Sequence, residues 1–155
     1  MFRHESLRPL SRQHHNGLAL VVMATRGIQQ RGARAVESWC ARAVERYDAE
    51  LAPHFDAEET VLFPALRDFV DPGLVDALVA EHRRLSELAA RLRSAPDQEV
   101  LAEFLELLRS HIRREENDLF EQAQARMPEA GLAALAEPIR EKVAEVCLDF
   151  GPEPS

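Results

Sequence analysis

The sequence predicts an all-α fold, namely an up-down-up-down four-helix bundle followed by a short fifth helix. Apolar residues recur at spacings of three and four along almost all of the 155 residues, whereas no long segment alternates with the period of a strand. Prolines and glycines fall in a few places and divide the chain into long segments joined by short connections. Short connections favour antiparallel neighbours, which is the arrangement of an up-down bundle.

The first two predicted helices fill the N-terminal half of the chain. The first covers residues 9–30, with a proline suited to its first turn and with glycines in 27–32 that loosen its end. The second covers residues 34–70. It is interrupted at Pro53 and Pro64, because each proline removes a backbone donor and should kink or restart the helix.

The remaining predicted helices are marked by prolines at their ends. The pair 71–72, Asp-Pro, predicts an N-cap followed by a first-position proline, and it opens a third helix that continues to Ser94. A fourth helix runs over residues 97–127 and is closed by Pro128. A shorter fifth segment, residues 132–150, contains an internal proline and is expected to pack across or along the bundle.

Composition bounds the domain organisation and the partners. The length fits one domain over residues 1–150, with a disordered tail at 151–155. The net charge of −8 opposes binding to nucleic acid or to an anionic membrane, since both need an excess of Lys and Arg. We find no signal core or membrane-spanning run and expect a cytoplasmic monomer or homodimer. The widely separated Cys40 and Cys147 are expected to be small buried hydrophobes.

Two segments of the chain repeat one pattern at a constant offset of 57 residues. Each reads His, an apolar residue, two variable residues, Glu-Glu, two variable residues and Leu-Phe, starting at His54 and at His111. Glu58 and Glu115 follow these histidines by four residues, so each pair lies on one helix face, about 5–6 Å apart at Cβ. One imidazole and one carboxylate from each of two helices would then meet inside the bundle.

The face that carries these pairs points to the core, because leucine and phenylalanine residues share its stripe. Buried glutamates without partners are costly, and metal cations supply the compensating charge. The other two helices each add a histidine on a core stripe. His82 is the candidate in the third helix. In the first, His14 is preferred over His15, because His14 has apolar residues four and seven positions away on both sides.

The donor set restricts the metal. Imidazole nitrogen with carboxylate oxygen suits iron, manganese or zinc, and the lack of nearby thiolates argues against a zinc finger or an iron–sulfur cluster. Ferritin-like di-iron bundles use Glu-x-x-His pairs, which do not occur in this sequence. Glu59 and Glu116 are expected at the surface or as hydrogen-bond acceptors behind the ligands. Tyr47 is expected to be an ordinary buried tyrosine, with a hydrogen bond to the centre or iron ligation as alternatives.

The order and spacing of these motifs resemble the hemerythrin-like family, also called HHE cation-binding domains. The resemblance covers residues 7–126 and depends on the segments 10–14, 54–59, 81–82 and 111–115. It implies a non-haem di-iron centre with an oxo or hydroxo bridge. In that centre the implied ligands are the bridging carboxylates of Glu58 and Glu115 and the terminal imidazoles of His14, His54, His82 and His111.

One departure from the oxygen-carrying members lies in the third helix, where Leu78 stands in place of a further histidine one turn before His82. The last carboxylate of those members lies five residues after its histidine, which is Glu116 here. Relatives without the fifth histidine more often use the residue at four, so Glu115 is preferred and Glu116 ranks second. Two histidines per iron would leave both irons below six ligands, and both could accept an exogenous ligand.

Three functions are compatible with these motifs. The leading hypothesis is a di-iron protein that binds dioxygen, peroxide or a similar small ligand. The alternative is an iron- or nitric-oxide-responsive module that stores or donates iron, as proteins that repair iron–sulfur centres are thought to do. A purely structural bundle is the third. The sequence leaves open whether the protein is a carrier, a sensor or an enzyme.

Overall fold

The computed structural model describes residues 2–143 and confirms the all-α fold, since this part of the chain contains helices and turns but no strand. A single 3₁₀ turn, Glu5–Leu7, precedes the first helix. The helices, named α1 to α6 in chain order, are Arg8–Arg31, residues 33–66, Leu74–Ser94, residues 98–126, Glu129–Ala133 and Ala136–Val143.

Helices α2 and α4 contain π turns, which are wider turns with hydrogen bonds between residues five apart. The π turns are Tyr47–Leu51 and Glu58–Leu62 in α2 and Glu115–Leu119 in α4. Pro53 and Pro64 each lie in the first turn of the α-helical segment that follows a π turn. The helix is therefore not broken at either proline, because the wider turn absorbs the missing backbone donor.

The four long helices contact one another in a closed ring, α1 with α2, α2 with α3, α3 with α4 and α4 with α1. The up-down direction of successive helices stays a prediction. Two apolar clusters fill the interior, one around Trp39 and Phe104 and one around Phe63 and Phe120; they are called the Trp39 cluster and the Phe63 cluster. In each long helix a buried histidine lies between residues of the two clusters. The bundle therefore carries a polar layer between two dry ones.

Of the glycines expected to loosen the end of α1, Gly32 ends the helix and Gly27 does not. Gly27 does not loosen the helix, because it lies within α1, where the Trp39 ring packs against the backbone. A Cβ atom at this position would lie 2.1 Å from Trp39 Nε1, so only glycine fits. The helix ends instead at Gly32, whose φ of 62° favours glycine.

The predicted N-cap of the third helix is wrong. Helix α3 begins at Leu74 and is preceded by Gly73, whose φ of 85° places it in the left-handed region. The Asp71 carboxylate is engaged by α4 instead, since it accepts hydrogen bonds from Gln122 Nε2 at 2.9 Å and Arg126 Nη1 at 3.0 Å. The Asp71 side chain, predicted to cap α3, is therefore bound by residues of α4 instead.

The predicted fifth helix is two short helices in the structure. Its N-terminal part falls within α5, which ends at Ala133, and the chain turns before α6 begins at Ala136. Ile139 of α6 is fully buried in the Phe63 cluster, and α6 contacts α1 and α2. The remainder of the predicted segment, residues 144–150, lies outside the described residues.

Cys40 is buried, as predicted, with 1% of its surface exposed. Cys147 and the predicted tail at 151–155 lie outside the described residues. Across residues 2–143, none of the helices combines the length and the apolarity that a bilayer crossing requires.

Candidate metal centre

The six side chains predicted as metal ligands converge in the polar layer between the two apolar clusters. They are His14 of α1, His54 and Glu58 of α2, His82 of α3, and His111 and Glu115 of α4. Each of them is buried, with at most 4% of its surface exposed. The structure thus brings the whole predicted set into one place.

The six residues form two groups of potential ligands. The first group contains His14 and His54, whose Nε2 atoms are 3.1 Å apart. The second contains His82 and His111, whose Nε2 atoms are also 3.1 Å apart. Within each group the ligand atoms lie within 4.8 Å of one another. These groups are called the first and the second position.

Both carboxylates belong to both positions. Glu58 Oε1 lies 3.4 Å from Nε2 of His54 in the first position and 3.2 Å from Nε2 of His82 in the second. Glu115 places Oε2 3.0 Å from Nε2 of the α1 histidine and Oε1 2.7 Å from Nε2 of the α4 histidine. Two nitrogens and two shared carboxylates could therefore surround a cation at each position.

The carboxylate oxygens of this centre are poorly satisfied by the protein itself. In the described part of the chain, none of the four oxygens of Glu58 and Glu115 accepts a well-aligned hydrogen bond, although all four are buried. Uncompensated buried carboxylates cost several kcal/mol, whereas a metal ion can use their lone pairs directly. The residues present therefore fit a pair of bound cations.

The electrostatics of the centre support the same view. Burial and the nearby Glu115 raise the pKa of Glu58 well above its usual value. Burial opposes ionisation of Glu115, yet the charge of His111 and further contacts hold the pKa of Glu115 well below its usual value. Burial also opposes the charged form of His111, but Glu115 raises the pKa of His111 to about 9. Protons therefore balance the charge without a cation, and a bound metal ion would displace them.

Comparison with known families identifies this arrangement. The sequence profile of the hemerythrin HHE cation-binding domain matches residues 4–123, a range that contains all six side chains. The chain belongs to this family. No curated protein and no solved structure gives a match to it. The match ends before α5, so α5 and α6 lie beyond the matched part.

Two glutamates that follow the candidate ligands act as acceptors within the HHE domain. His14 Nδ1 donates to Glu116 Oε1 and His82 Nδ1 donates to Glu59 Oε2, both at 2.9 Å. With the proton assigned to Nδ1 by this network, the Nε2 lone pair is directed into the centre. Both glutamates therefore take one of the two roles expected from the sequence.

Sequence reasoning missed the other two acceptors. His54 Nδ1 donates to Gln13 Oε1 at 2.7 Å, and His111 Nδ1 donates to Glu81 Oε1 at 2.9 Å. The sequence contains a signal for them, because each acceptor directly precedes a candidate histidine: Gln13 precedes His14 and Glu81 precedes His82. Residues one apart on a helix point about 100° apart, so the earlier residue can reach the adjacent helix.

The residues that the sequence left open as alternative ligands lie outside the two positions. His15 is exposed on α1, and Glu116 accepts from the outer nitrogen of its histidine and forms an ion pair with Arg3. Tyr47 is partly buried and meets two phenylalanine rings edge-on, with centroids 6.4 Å apart. Leu78 is fully buried in the Phe63 cluster. The HHE domain thus groups Glu115, and not Glu116, with the histidine nitrogens.

The two shared glutamates begin π turns at equivalent positions of the repeat. Glu58 is the first residue of one π turn and Glu115 of another. Each π turn is followed by a phenylalanine, Phe63 or Phe120, whose ring stacks on a histidine of the next helix at 5.6 Å. The widened turns therefore lie where carboxylates and aromatic rings enclose the centre, in keeping with the frequent use of π turns at functional sites.

We predict that Glu81→Ala weakens metal binding by about 10–100-fold while two ions still bind at saturation, since Glu81 orients the His111 ring from outside. Competition with a chelator measures the affinity. Glu87→Ala, an exposed glutamate on the same helix, is the matched control. Equal affinities of the two variants would contradict the supporting role of Glu81.

Proposed function

We propose that this HHE domain holds two iron ions and binds dioxygen, peroxide or nitric oxide at them. One observation carries the proposal, namely that two buried groups of two histidines share the same two carboxylates. The proposed terminal ligands are His14 and His54 for one iron and His82 and His111 for the other. Glu58 and Glu115 are the proposed bridging ligands.

The choice of iron is supported by donor chemistry and by family. Imidazole and carboxylate donors suit iron, manganese and zinc, but zinc has no redox chemistry. Cys40 lies in the Trp39 cluster and not among the candidate ligands, so no thiolate from the described residues competes for the metal. Membership of a cation-binding family favours a metal at this site. Manganese or zinc is the alternative metal at the two positions.

The chain's own residues prepare the centre for a small ligand. The two shared carboxylates offset part of the charge of two cations, and outer acceptors fix the four imidazole rings. Apolar clusters on both sides keep bulk water out. Bound iron would supply redox chemistry and free coordination sites, since four protein donors at each position are fewer than the six of an octahedral ion.

The cellular setting is also a proposal. We propose a cytoplasmic protein, monomeric or homodimeric, that has no nucleic-acid partner. The net charge of −8 supports the last point, because polyanion binding requires clustered positive charge.

Anaerobic loading with ferrous iron, followed by metal analysis, tests the proposed function. We expect two irons per chain, and we expect absorption changes when dioxygen, peroxide or nitric oxide is added separately. Fewer than one iron per chain, with no absorption change in air, would overturn the proposal. Iron transfer to an apo iron–sulfur protein would favour the iron-donating alternative, whereas tight retention of iron would count against it.

A further inference from the structure

A surface pocket of about 330 Å³ lies against the second position. Its wall includes Tyr47, Phe55, Glu59, His82 and Arg83. Among the six candidate ligands, His82 is the one that contributes to this wall in the described part of the chain. The pocket therefore connects solvent with the side of the centre formed by α2 and α3.

The Phe55 ring lines this pocket and packs on the imidazole rings of the second position. It stacks on His82 with the ring centroids 4.0 Å apart and an interplanar angle of 16°. It also meets the His111 ring edge-on at 5.5 Å. Phe55 is 5% exposed and lines the pocket, so one aromatic ring covers both histidines of the second position.

The equivalent side chains at the first position are more tightly covered. Glu59 and Glu116 occupy the same place in the repeat, but 41% of the Glu59 side chain is exposed and 22% of the Glu116 side chain. Arg3 accounts for the difference, because its guanidinium forms an ion pair with Glu116 at 2.9 Å and lies over the Phe120 ring at 5.2 Å. The N-terminal segment thus covers the first position. At the second position, the described contacts show no equivalent cover over Glu59.

The second copy of the repeat has an aliphatic side chain in place of the Phe55 ring. Ile112 stands where the first copy of the repeat has Phe55. Ile112 is 2% exposed and packs on α1 so closely that a Cβ atom at Gly17 would lie 2.9 Å from Ile112 Cδ1. Ile112 is therefore held against a backbone, whereas Phe55 lines an open pocket.

We propose that small uncharged ligands reach the second position through this pocket, and that Phe55 sets the size of the molecules admitted. The inference depends on the di-metal function proposed above. An aromatic ring moves by side-chain rotation without disturbing the helix, and it admits molecules of two or three heavy atoms more readily than larger ones. The pocket wall carries both signs of charge, because Arg83 lies beside Asp56 and Glu59 and Lys142 pairs with Asp56. The route therefore has no excess positive charge that would attract an anion, and it suits neutral molecules such as dioxygen, nitric oxide or hydrogen peroxide.

Stopped-flow binding of nitric oxide to the iron-loaded protein tests the route. We expect Phe55→Ala to raise the association rate about fivefold or more and Phe55→Trp to lower it, while Ile112→Ala changes it by less than about twofold. Ile112→Ala is the matched control, because it removes a buried side chain at the equivalent place in the repeat. Equal acceleration in the two alanine variants, or an unchanged rate in Phe55→Ala, would overturn the inference.

A second measurement needs no bound iron. Diethyl pyrocarbonate is applied to the metal-free protein, and peptide mass spectrometry measures labelling of His82 relative to exposed His15. We expect Phe55→Leu, a milder change than alanine, to increase relative labelling of His82 about threefold without increasing that of His14. Unchanged labelling of His82 would overturn the gating role. Failure of iron loading in the wild-type protein would instead count against the proposed function, so the two failures are distinguishable.

Discussion

Replacing Glu115 with alanine is expected to abolish binding of both metal ions, whereas Glu116→Ala is expected to weaken binding and leave two sites. Glu115 is fully buried and belongs to both positions, so its loss removes one donor from each cation and one shared negative charge. Glu116 only supports His14 from outside, and the loss of such a partner typically costs about 10–100-fold in affinity. Metal analysis and chelator competition measure both effects.

The adjacent glutamates provide the internal control for this prediction, since the two variants remove the same chemical group one residue apart. The same contrast is expected between Glu58→Ala and Glu59→Ala, because the repeat places them equivalently. Two fully occupied sites in Glu115→Ala would refute the bridging assignment. A larger loss in Glu116→Ala than in Glu115→Ala would move the ligand role to Glu116.

Glu58→Gln is expected to have opposite effects on stability with and without metal. In the metal-free protein the substitution should raise the free energy of unfolding by about 1–3 kcal/mol at pH 8, because it removes a buried carboxylate whose ionisation is unfavourable. With metal, the wild-type protein should be the more stable one. Ligand present at 100 times its Kd adds about 2.7 kcal/mol per site, which Glu58→Gln largely loses.

The pH dependence of this effect has a definite sign. The pKa of Glu58 is raised in the folded protein above the ordinary glutamate value of 4.5, so at this residue the folded state binds more protons than the unfolded state above that pH. The contribution of Glu58 to the stability of the metal-free wild type therefore falls as pH rises from about 4.5 through the folded pKa. Glutamine does not titrate. The advantage of Glu58→Gln should grow with pH and disappear near pH 4.5.

Urea unfolding with a chelator and with added metal, at pH 5 and pH 8, measures these differences. Glu87→Gln is the control, because this glutamate is 64% exposed on α3 and pairs with Arg84 outside the centre. A Glu58→Gln protein that is less stable than the wild type in both metal states at pH 8 would contradict the prediction. It would mean that the Glu58 carboxylate stabilises the bundle by itself.

Much of the centre could be predicted from the sequence because helical periodicity carries side-chain direction. His14 was separated from His15 by the apolar residues on its stripe, and the structure places His14 inside and His15 outside. The four-residue spacing from His111 to Glu115 placed both on one face, and the structure has them 2.7 Å apart. These relations are local, since a helix sets the directions of its own side chains wherever it packs.

Contacts between helices were less accessible to sequence reasoning. Asp71 has the chemistry of an N-cap, but hydrogen-bond donors from α4 engage its side chain. Gly27 was expected to loosen the end of the first helix, but it lies within α1 and Trp39 from α2 packs on it. In both cases a neighbour distant in the chain competes with the local preference, and the sequence does not say which neighbour that is.

The sequence by itself determined the helical class, the family and the six side chains that converge, because periodicity and the repeat depend only on positions along the chain. Only the tertiary structure decided that His14 is grouped with His54, that Gln13 and Glu81 hold the outer nitrogens, and that a pocket opens beside one pair of histidines. These features depend on the rotation of each helix about its axis and on which helices adjoin. Packing of the whole core sets both.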